Sequence, residues 1–362
     1  MRTRKGLLLF GAVILLIAAI LSGCGGGGSG SGSQSSGGSG QSEATATTGT
    51  GGSGGGSSDK VYELKLGHNV TVDSEMDKGA RKFAELVEQK TNGRVKVTVF
   101  PSAQLGSEID MVENLGQGVI DIVIPGDGIF GTFFPEYQGL VLPFLIESVE
   151  HMDKVYSSEI GQEISKILEE KVNARLLAVW HRGARNLTAN KEIRTPDDLQ
   201  GLKLRVTTIP LVIESWKALG ANPTPIPFPE LFVALQQGTV DAQENPFDLI
   251  YTSKFYEVQK YVMLTQHTYS PWLFLVNKDR YDGFPDDIKK AFDEAVQEAT
   301  AYQNQLVKES QEEYKKKLQE AGMTIVEVDR NLFVQKYMES GVEEQLQKEL
   351  APNLFERVRA LK

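Results

Sequence analysis

Val61-Tyr62-Glu63-Leu64-Lys65-Leu66-Gly67 opens the stretch, residues 61–124, that decides the architecture. Val61, Leu64 and Leu66 belong to a short strand that ends at Gly67-His68-Asn69. A helix follows from about Ser74. Met76, Ala80, Phe83 and Val87 recur at spacings of four and three and share one apolar face. Thr91-Asn92-Gly93 stops it. Val95, Val97 and Val99 then alternate with Lys96 and Thr98, a second strand with one buried face, closed by Pro101. Another helix starts near Ser107, with Ile109, Val112 and Leu115 inward, and residues 119–124 read as a third strand, apolar except for Asp121. Strand, helix, strand, helix, strand in this rhythm predicts an α/β fold with a parallel sheet.

The rhythm resumes downstream. Arg175 to Trp180 and Leu202 to Val206 read as strands, and Leu211 to Leu219 and Leu231 to Gln237 as helices. Thr239 to Gln243 leads into a strand or loop. From Asp286 to Ala321 there is no Gly or Pro. Ile288, Phe292, Ala295, Ala299, Tyr302 and Leu306 continue one stripe, then Tyr314 and Leu318. This predicts one helix of roughly 50 Å at about 1.5 Å per residue. It is too long for one lobe, so it lies across two lobes or projects. Two helices joined by an unmarked kink are the alternative.

Upstream, Arg2, Arg4 and Lys5 precede an apolar run from Leu7 to Leu21, and Leu21-Ser22-Gly23-Cys24 follows. That is the order of a secretory signal, and the run is shorter than a spanning helix. An uncleaved N-terminal anchor is the other reading. Residues 1–23 are the expected signal peptide, and Leu-Ser-Gly-Cys resembles the bacterial lipobox, which implies lipid on Cys24. Cys24 is also the only cysteine, so no internal disulfide can form. From there to Ser58 the chain is mostly Gly, Ser and Thr, a flexible tether ahead of a body at 59–362. Gly25, Gly27 and Gly30 fit a nucleotide-loop pattern, and Gly51, Ser53 and Gly55 fit a nucleophile-elbow pattern. Both lack the strand and helix those motifs require. Cleavage removes three basic residues from 38 and no acids from 48, leaving 35 against 48, a charge of −13. That excludes nucleic acid as a partner. It does not exclude an anionic ligand, because a pocket's local field can oppose the net charge.

The four histidines, His68, His151, His181 and His267, show no metal-ligand spacing. No metal or cofactor is expected. The arginines say more. Arg185 follows Trp180-His181-Arg182-Gly183-Ala184. In Gly201-Leu202-Lys203-Leu204-Arg205-Val206 the leucines and Val206 face the core, so Arg205 faces the other way. Two such guanidiniums could clamp a carboxylate through parallel charged hydrogen bonds. Each could equally be a surface or salt-bridge arginine. Asn245, in Gln243-Glu244-Asn245-Pro246, offers a donor and an acceptor or simply caps the turn before Pro246. Phe228, among Pro225, Pro227 and Pro229, is a core residue or a lid.

Taken in order, these segments resemble the solute-binding proteins of TRAP (tripartite ATP-independent periplasmic) transporters, of the dicarboxylate-binding type. The matching stretches are Phe83-Ala84-Glu85-Leu86-Val87 with Thr91-Asn92-Gly93, Phe100-Pro101-Ser102-Ala103-Gln104-Leu105-Gly106, Leu142-Pro143-Phe144, Gly183-Ala184-Arg185, the Gly201 to Val206 strand, Leu219-Gly220-Ala221-Asn222-Pro223, and Gln243-Glu244-Asn245-Pro246. The resemblance implies a two-lobed periplasmic-binding-protein-like fold with hinge strands and a long helix spanning both lobes. Lobe 1 would hold roughly 59–182 and 271–310, and lobe 2 roughly 183–270 and 311–362. It implies Arg185 and Arg205 on the ligand carboxylate, Asn245 assisting, Phe228 packed on the ligand, and His68, Asn69 and Asp127 added from lobe 1.

It also implies no enzymatic activity. The expected function is an extracytoplasmic, lipid-anchored receptor that passes an organic acid to TRAP membrane subunits. This chain departs from the family's pattern at Ala184, where an aromatic is frequent, and at Ala242, where Gly is frequent. Arg182 is close enough to Arg185 for either to reach the ligand. C4-dicarboxylates, sugar acids and keto acids all remain open. The alternatives are the binding component of an ATP-driven importer, a lipid-anchored cell-surface hydrolase, and a structural surface lipoprotein.

Overall fold

The computed structural model describes residues 60–362. The signal peptide, Cys24 and the tether lie outside the described residues. Eleven strands occur in it: β1 (Tyr62–Gly67), β2 (Val95–Phe100), β3 (Ile122–Val123), β4 (Ala174–Trp180), β5 (Arg185–Ala189), β6 (Lys203–Val206), β7 (Asn222–Pro225), β8 (Ala242–Asn245), β9 (Tyr261–Thr268), β10 (Trp272–Asn277) and β11 (Thr324–Val326). They form two sheets, in the orders β2-β1-β3-β10-β4 and β11-β9-β5-β8-β6-β7. β1 pairs in parallel with β2 and β3, as the strand-helix rhythm predicts, while β10 runs antiparallel to β3 and β4. The chain leaves the first sheet after Trp180 and enters the second at Arg185. It returns between Thr268 and Trp272. These two short crossovers are the hinge of a two-lobed α/β fold.

The helix Glu75–Lys90 shows how local sequence builds a lobe. Ser74 Oγ accepts from the Asp77 N–H at 3.2 Å and caps its start. Asn92 and Gly93 take left-handed backbone (φ 52° and 79°) and end it. Met76, Ala80, Phe83 and Val87 are all buried against the first sheet. The third strand is shorter than its apolar run suggests. The N–H groups of Val119 and Ile120 both turn back to Asn114 O at the preceding helix end, and Val119 is 53% exposed. Only Ile122 and Val123 reach the ladder, opposite Leu66 and Gly67.

Asp286–Glu320 is one unbroken helix of 35 residues. Ile288, Phe292, Ala295 and Ala299 pack in the core of the first lobe, and Tyr314 and Leu318 in a core of the second. The middle of the stripe differs from expectation. Tyr302 is 40% exposed and Leu306 half-buried, while Gln303, Val307 and Ser310 are buried. The reason is the first crossover. Gln303 Nε2 donates to His181 O (2.9 Å), and His181 N–H donates to Asn304 Oδ1 (2.8 Å). Hinge backbone groups that leave a sheet need partners, and polar helix side chains supply them.

The C-terminal segment also departs from the lobe boundaries implied by the resemblance. Leu354, Phe355 and Val358 pack with Tyr137, Leu140 and Met152, beside the first sheet, and His151 Nε2 lies 2.9 Å from Val358 O. Among the described residues, no helix is long and apolar enough to cross a membrane.

Candidate functional site

A cavity of about 230 Å³ lies between the two sheets. Arg182, Arg185, Arg205, Asn245, Phe228, Asn69 and Asp127 all line it. The structure therefore brings together six of the seven expected ligand residues, with Arg182 added. His68 is the exception. Its ring is fully buried, bonds Asp77 Oδ1 through Nε2 at 3.1 Å, and does not line the cavity. Asp77 stands in the first turn of the capped helix Glu75–Lys90 and holds His68 inside the lobe.

Arg205 comes from β6. Leu202, Leu204 and Val206 sit in the core of the second lobe, so strand alternation turns Arg205 toward the cleft. It is 3% exposed. Its Nε donates to Ile226 O at 2.8 Å. Burial pulls its pKa down to about 10, the mark of a desolvated cation lacking a bonded carboxylate.

Arg185 opens β5. The β5–β8 register sets Asn186 opposite Asn245 and Leu187 opposite Glu244, which leaves Arg185 diagonal to Glu244. Arg185 Nη2 donates to Glu244 Oε1 (2.8 Å) and to Glu244 O (2.7 Å), and Nε donates to Glu244 Oε2. Burial opposes both charges, yet the pairing prevails. Arg185 is held above its ordinary pKa and Glu244 well below the usual carboxylate range. His267 Nε2 donates to the same Glu244 Oε2 (3.0 Å), while Nδ1 accepts from Thr265 (2.8 Å). Burial lowers the His267 pKa, so the ring is neutral at pH 7. Asn245 Nδ2 donates to Gln243 Oε1 (2.6 Å), which fixes its amide with one N–H and Oδ1 left over.

Arg182 is 9% exposed, with its guanidinium 3.7 Å from the Trp272 ring centre and Nη1 3.3 Å from Ser270 Oγ. Its Nε is buried without a partner. So is Asp127 Oδ2, and burial raises Asp127 to about 7. Phe228 is half-buried. It lines the cavity and packs edge-on to Phe255 at 6.2 Å.

Sequence reasoning missed Glu108, Trp272 and His267. Glu108 immediately follows the N-cap Ser107 and accepts from the Gly126 N–H at 3.0 Å. Nothing local marks it, because Gly126 is 18 residues away. Among the described residues, no group of three or more His, Cys, Asp or Glu could hold a metal.

The family profile described as bacterial extracellular solute-binding protein, family 7, matches residues 66–349. A solute-binding protein of Roseobacter denitrificans is 40% identical over 271 residues, covering 75% of this chain and 83% of that protein. The 2,3-diketo-L-gulonate-binding periplasmic protein of Escherichia coli is 35% identical over 279 residues, covering 76% and 85%. The crystal structure of a TRAP periplasmic solute-binding protein from Roseobacter denitrificans, with bound L-galactonate, superposes with a TM-score of 0.77 at 36% identity, covering 84% of this chain and 99% of that one. A cleft of buried arginines between two α/β lobes and a match over 66–349 agree: the chain belongs to the family 7 extracellular solute-binding proteins, the receptors of TRAP transporters.

Proposed function

We propose that this chain captures a small organic acid outside the cytoplasm, on Arg205 with Arg185 and Asn245, and delivers it to the membrane subunits of a TRAP-type secondary transporter. One observation carries the reading. Arg205 is buried with only Nε committed, to Ile226 O, and its terminal nitrogens remain for the cavity it lines. A ligand carboxylate there replaces water with a two-bond charged contact. Closing the lobes about the crossovers excludes solvent and strengthens that contact. Glu244 holds the Arg185 fork in place, and Arg182 stands next to it. The ligands named for the relatives, L-galactonate and 2,3-diketo-L-gulonate, are acids, in keeping with such a clamp. The reading includes no turnover and no cofactor.

Calorimetric titration against a panel of organic acids tests it. A dissociation constant near micromolar, about −8 kcal/mol, is expected for one acid. Arg205→Ala should weaken it by at least about 100-fold, because a buried carboxylate is left unpaired. Unchanged affinity in that variant sinks the clamp.

The same reading assigns a lipid to Cys24, tethering the body to the outer face of a membrane through residues 24–58. It rests on Leu21-Ser22-Gly23-Cys24 directly after the apolar run and on Cys24 being the only cysteine.

A further inference from the structure

A second cavity, of about 540 Å³, lies behind the first crossover. We propose that it is a second ligand site, for a zwitterion of the α-amino-acid type with a large apolar side chain, and that its occupant holds the lobes closed.

Alternation along the two crossovers sets the cavities on opposite faces. Arg185 lines the cleft, while its neighbours Ala184 and Asn186 line the second cavity. On the return crossover Thr268 and Ser270 line the cleft, and Tyr269 between them lines the second cavity. A Cβ on Gly183 would lie 2.3 Å from Gln311 Oε1, so the long helix packs directly on the crossover here. Arg182 borders both spaces but lays its guanidinium on Trp272 and Ser270, which are cleft residues.

The volume falls within the roughly 300–1,000 Å³ of small-molecule sites. Ala184, Val149, Val307 and Phe247 give the second cavity an apolar lining. Its rim is charged. Lys308 and Glu312 come from the long helix, and Glu150 from the helix Val149–Ser157 of the first lobe. Asp153 is taken by His181 Nε2 at 2.9 Å, whereas among the described residues Glu150, Lys308 and Glu312 make no ion pair. Glu150 is held below the usual carboxylate range by its own N–H and by Ser148, then by His181 and Lys308, so it is charged at pH 7. Two unpaired acids and one unpaired ammonium suit a ligand bearing both charges. A plain cation meets Lys308 and a plain anion meets the two acids, each a repulsion that a zwitterion escapes.

The cavity also senses the lobes. Glu150 belongs to the first lobe, and Asn186 and Phe247 to the second. Lobes that swing about strands lying between two cavities widen one as they narrow the other. Arg182, Arg185 and Arg205 are 9%, 7% and 3% exposed, so the cleft is closed here. A ligand that fits the second cavity in this arrangement binds the closed lobes better and shifts the chain toward them.

Calorimetric titration with L-tryptophan, tryptamine and indole-3-propionate tests the site. L-Tryptophan should bind at least about fivefold more tightly than tryptamine, which lacks the carboxylate, or indole-3-propionate, which lacks the ammonium. Ala184→Phe fills the lining with a ring and should weaken tryptophan by about 30-fold or more. Lys308→Ala, at an exposed position, should weaken it about fivefold and serves if the first variant folds poorly. X-ray scattering should show a smaller radius of gyration at saturating tryptophan. No tryptophan binding, or binding unmoved in both variants, overturns the site. So does tryptophan binding that is lost in Arg205→Ala, which places it in the cleft. Tryptamine binding as tightly as tryptophan overturns the zwitterion assignment, and binding with an unchanged radius overturns the coupling to the lobes. None of these outcomes bears on capture of an acid by Arg205, which the organic-acid panel tests separately.

Discussion

Arg185 commits two of its three nitrogens to Glu244, with Nη2 at 2.8 Å from Oε1 and Nε on Oε2. The carboxylate also accepts from His267, so one buried acid serves two strands besides its own. Removing one partner of a buried pair leaves an uncompensated charge. Glu244→Gln should destabilise the fold by about 3–5 kcal/mol. Urea unfolding measures this, and the same variant should bind its acid more weakly because the Arg185 fork loses its orientation. A midpoint equal to wild type would show that the pair is dispensable.

Asp248 supplies a pH test. It lies in the first turn of the helix Phe247–Thr252 and is buried. Burial, then the charge of Glu75 across the lobe boundary, pushes it up to about 7, against the pull of Arg182. Glu75 is raised too, by burial, with Lys78 at 3.8 Å and Tyr314 and Ser310 of the long helix as its other neighbours. Between about pH 4 and pH 7 the folded chain holds a proton on Asp248 that the unfolded chain has released, so stability falls as pH rises through that window. Asp248→Asn removes this loss. Its melting temperature should exceed wild type at pH 8, by up to about 4 kcal/mol in stability, and converge with it near pH 4. Asp127 titrates in the same window and retains part of the slope. Parallel melting curves for variant and wild type across pH 4–8 would contradict the assignment.

Gly79 marks where the helix Glu75–Lys90 meets the long helix. A Cβ there would lie 2.8 Å from Gln303 Cβ and 2.8 Å from the Trp180 ring. Helix propensity alone makes Gly→Ala favourable by about 1 kcal/mol. Gly79→Ala should nonetheless destabilise by about 1–3 kcal/mol, the cost of overpacking. A calorimetric melting temperature at or above wild type would show that the helices part without penalty.

Cys24→Ala should move the protein from the membrane fraction to the soluble fraction, and mature wild-type protein should carry acyl mass at its N-terminus. Wild-type protein that is soluble and unacylated refutes the anchor.

Local pattern sufficed where local physics decides. The helix Glu75–Lys90 was legible because apolar spacing, the Ser74 cap and the Asn92-Gly93 stop all agree. Arg205 was legible because strand alternation leaves it one side to face. Trp272, His267 and Glu108 were not, because they meet only through the order β3-β10-β4 and the return from β9. No periodicity encodes that order. The stripe on the long helix failed at Tyr302 and Leu306 for a related reason. There the helix faces the backbone of the crossover, which calls for amides such as Gln303 and Asn304 rather than apolar side chains.

β10 has a consequence for biogenesis. It is wedged between β3 and β4, yet Leu275, which pairs with Val123 and Leu176, comes about a hundred residues after Leu176 in the chain. The first sheet therefore stays open until the whole second-lobe segment and Asn277 are available. Such non-local pairing folds slowly. A polypeptide bound for secretion gains from that delay, since its N-terminal half stays threadable while the rest is still being made.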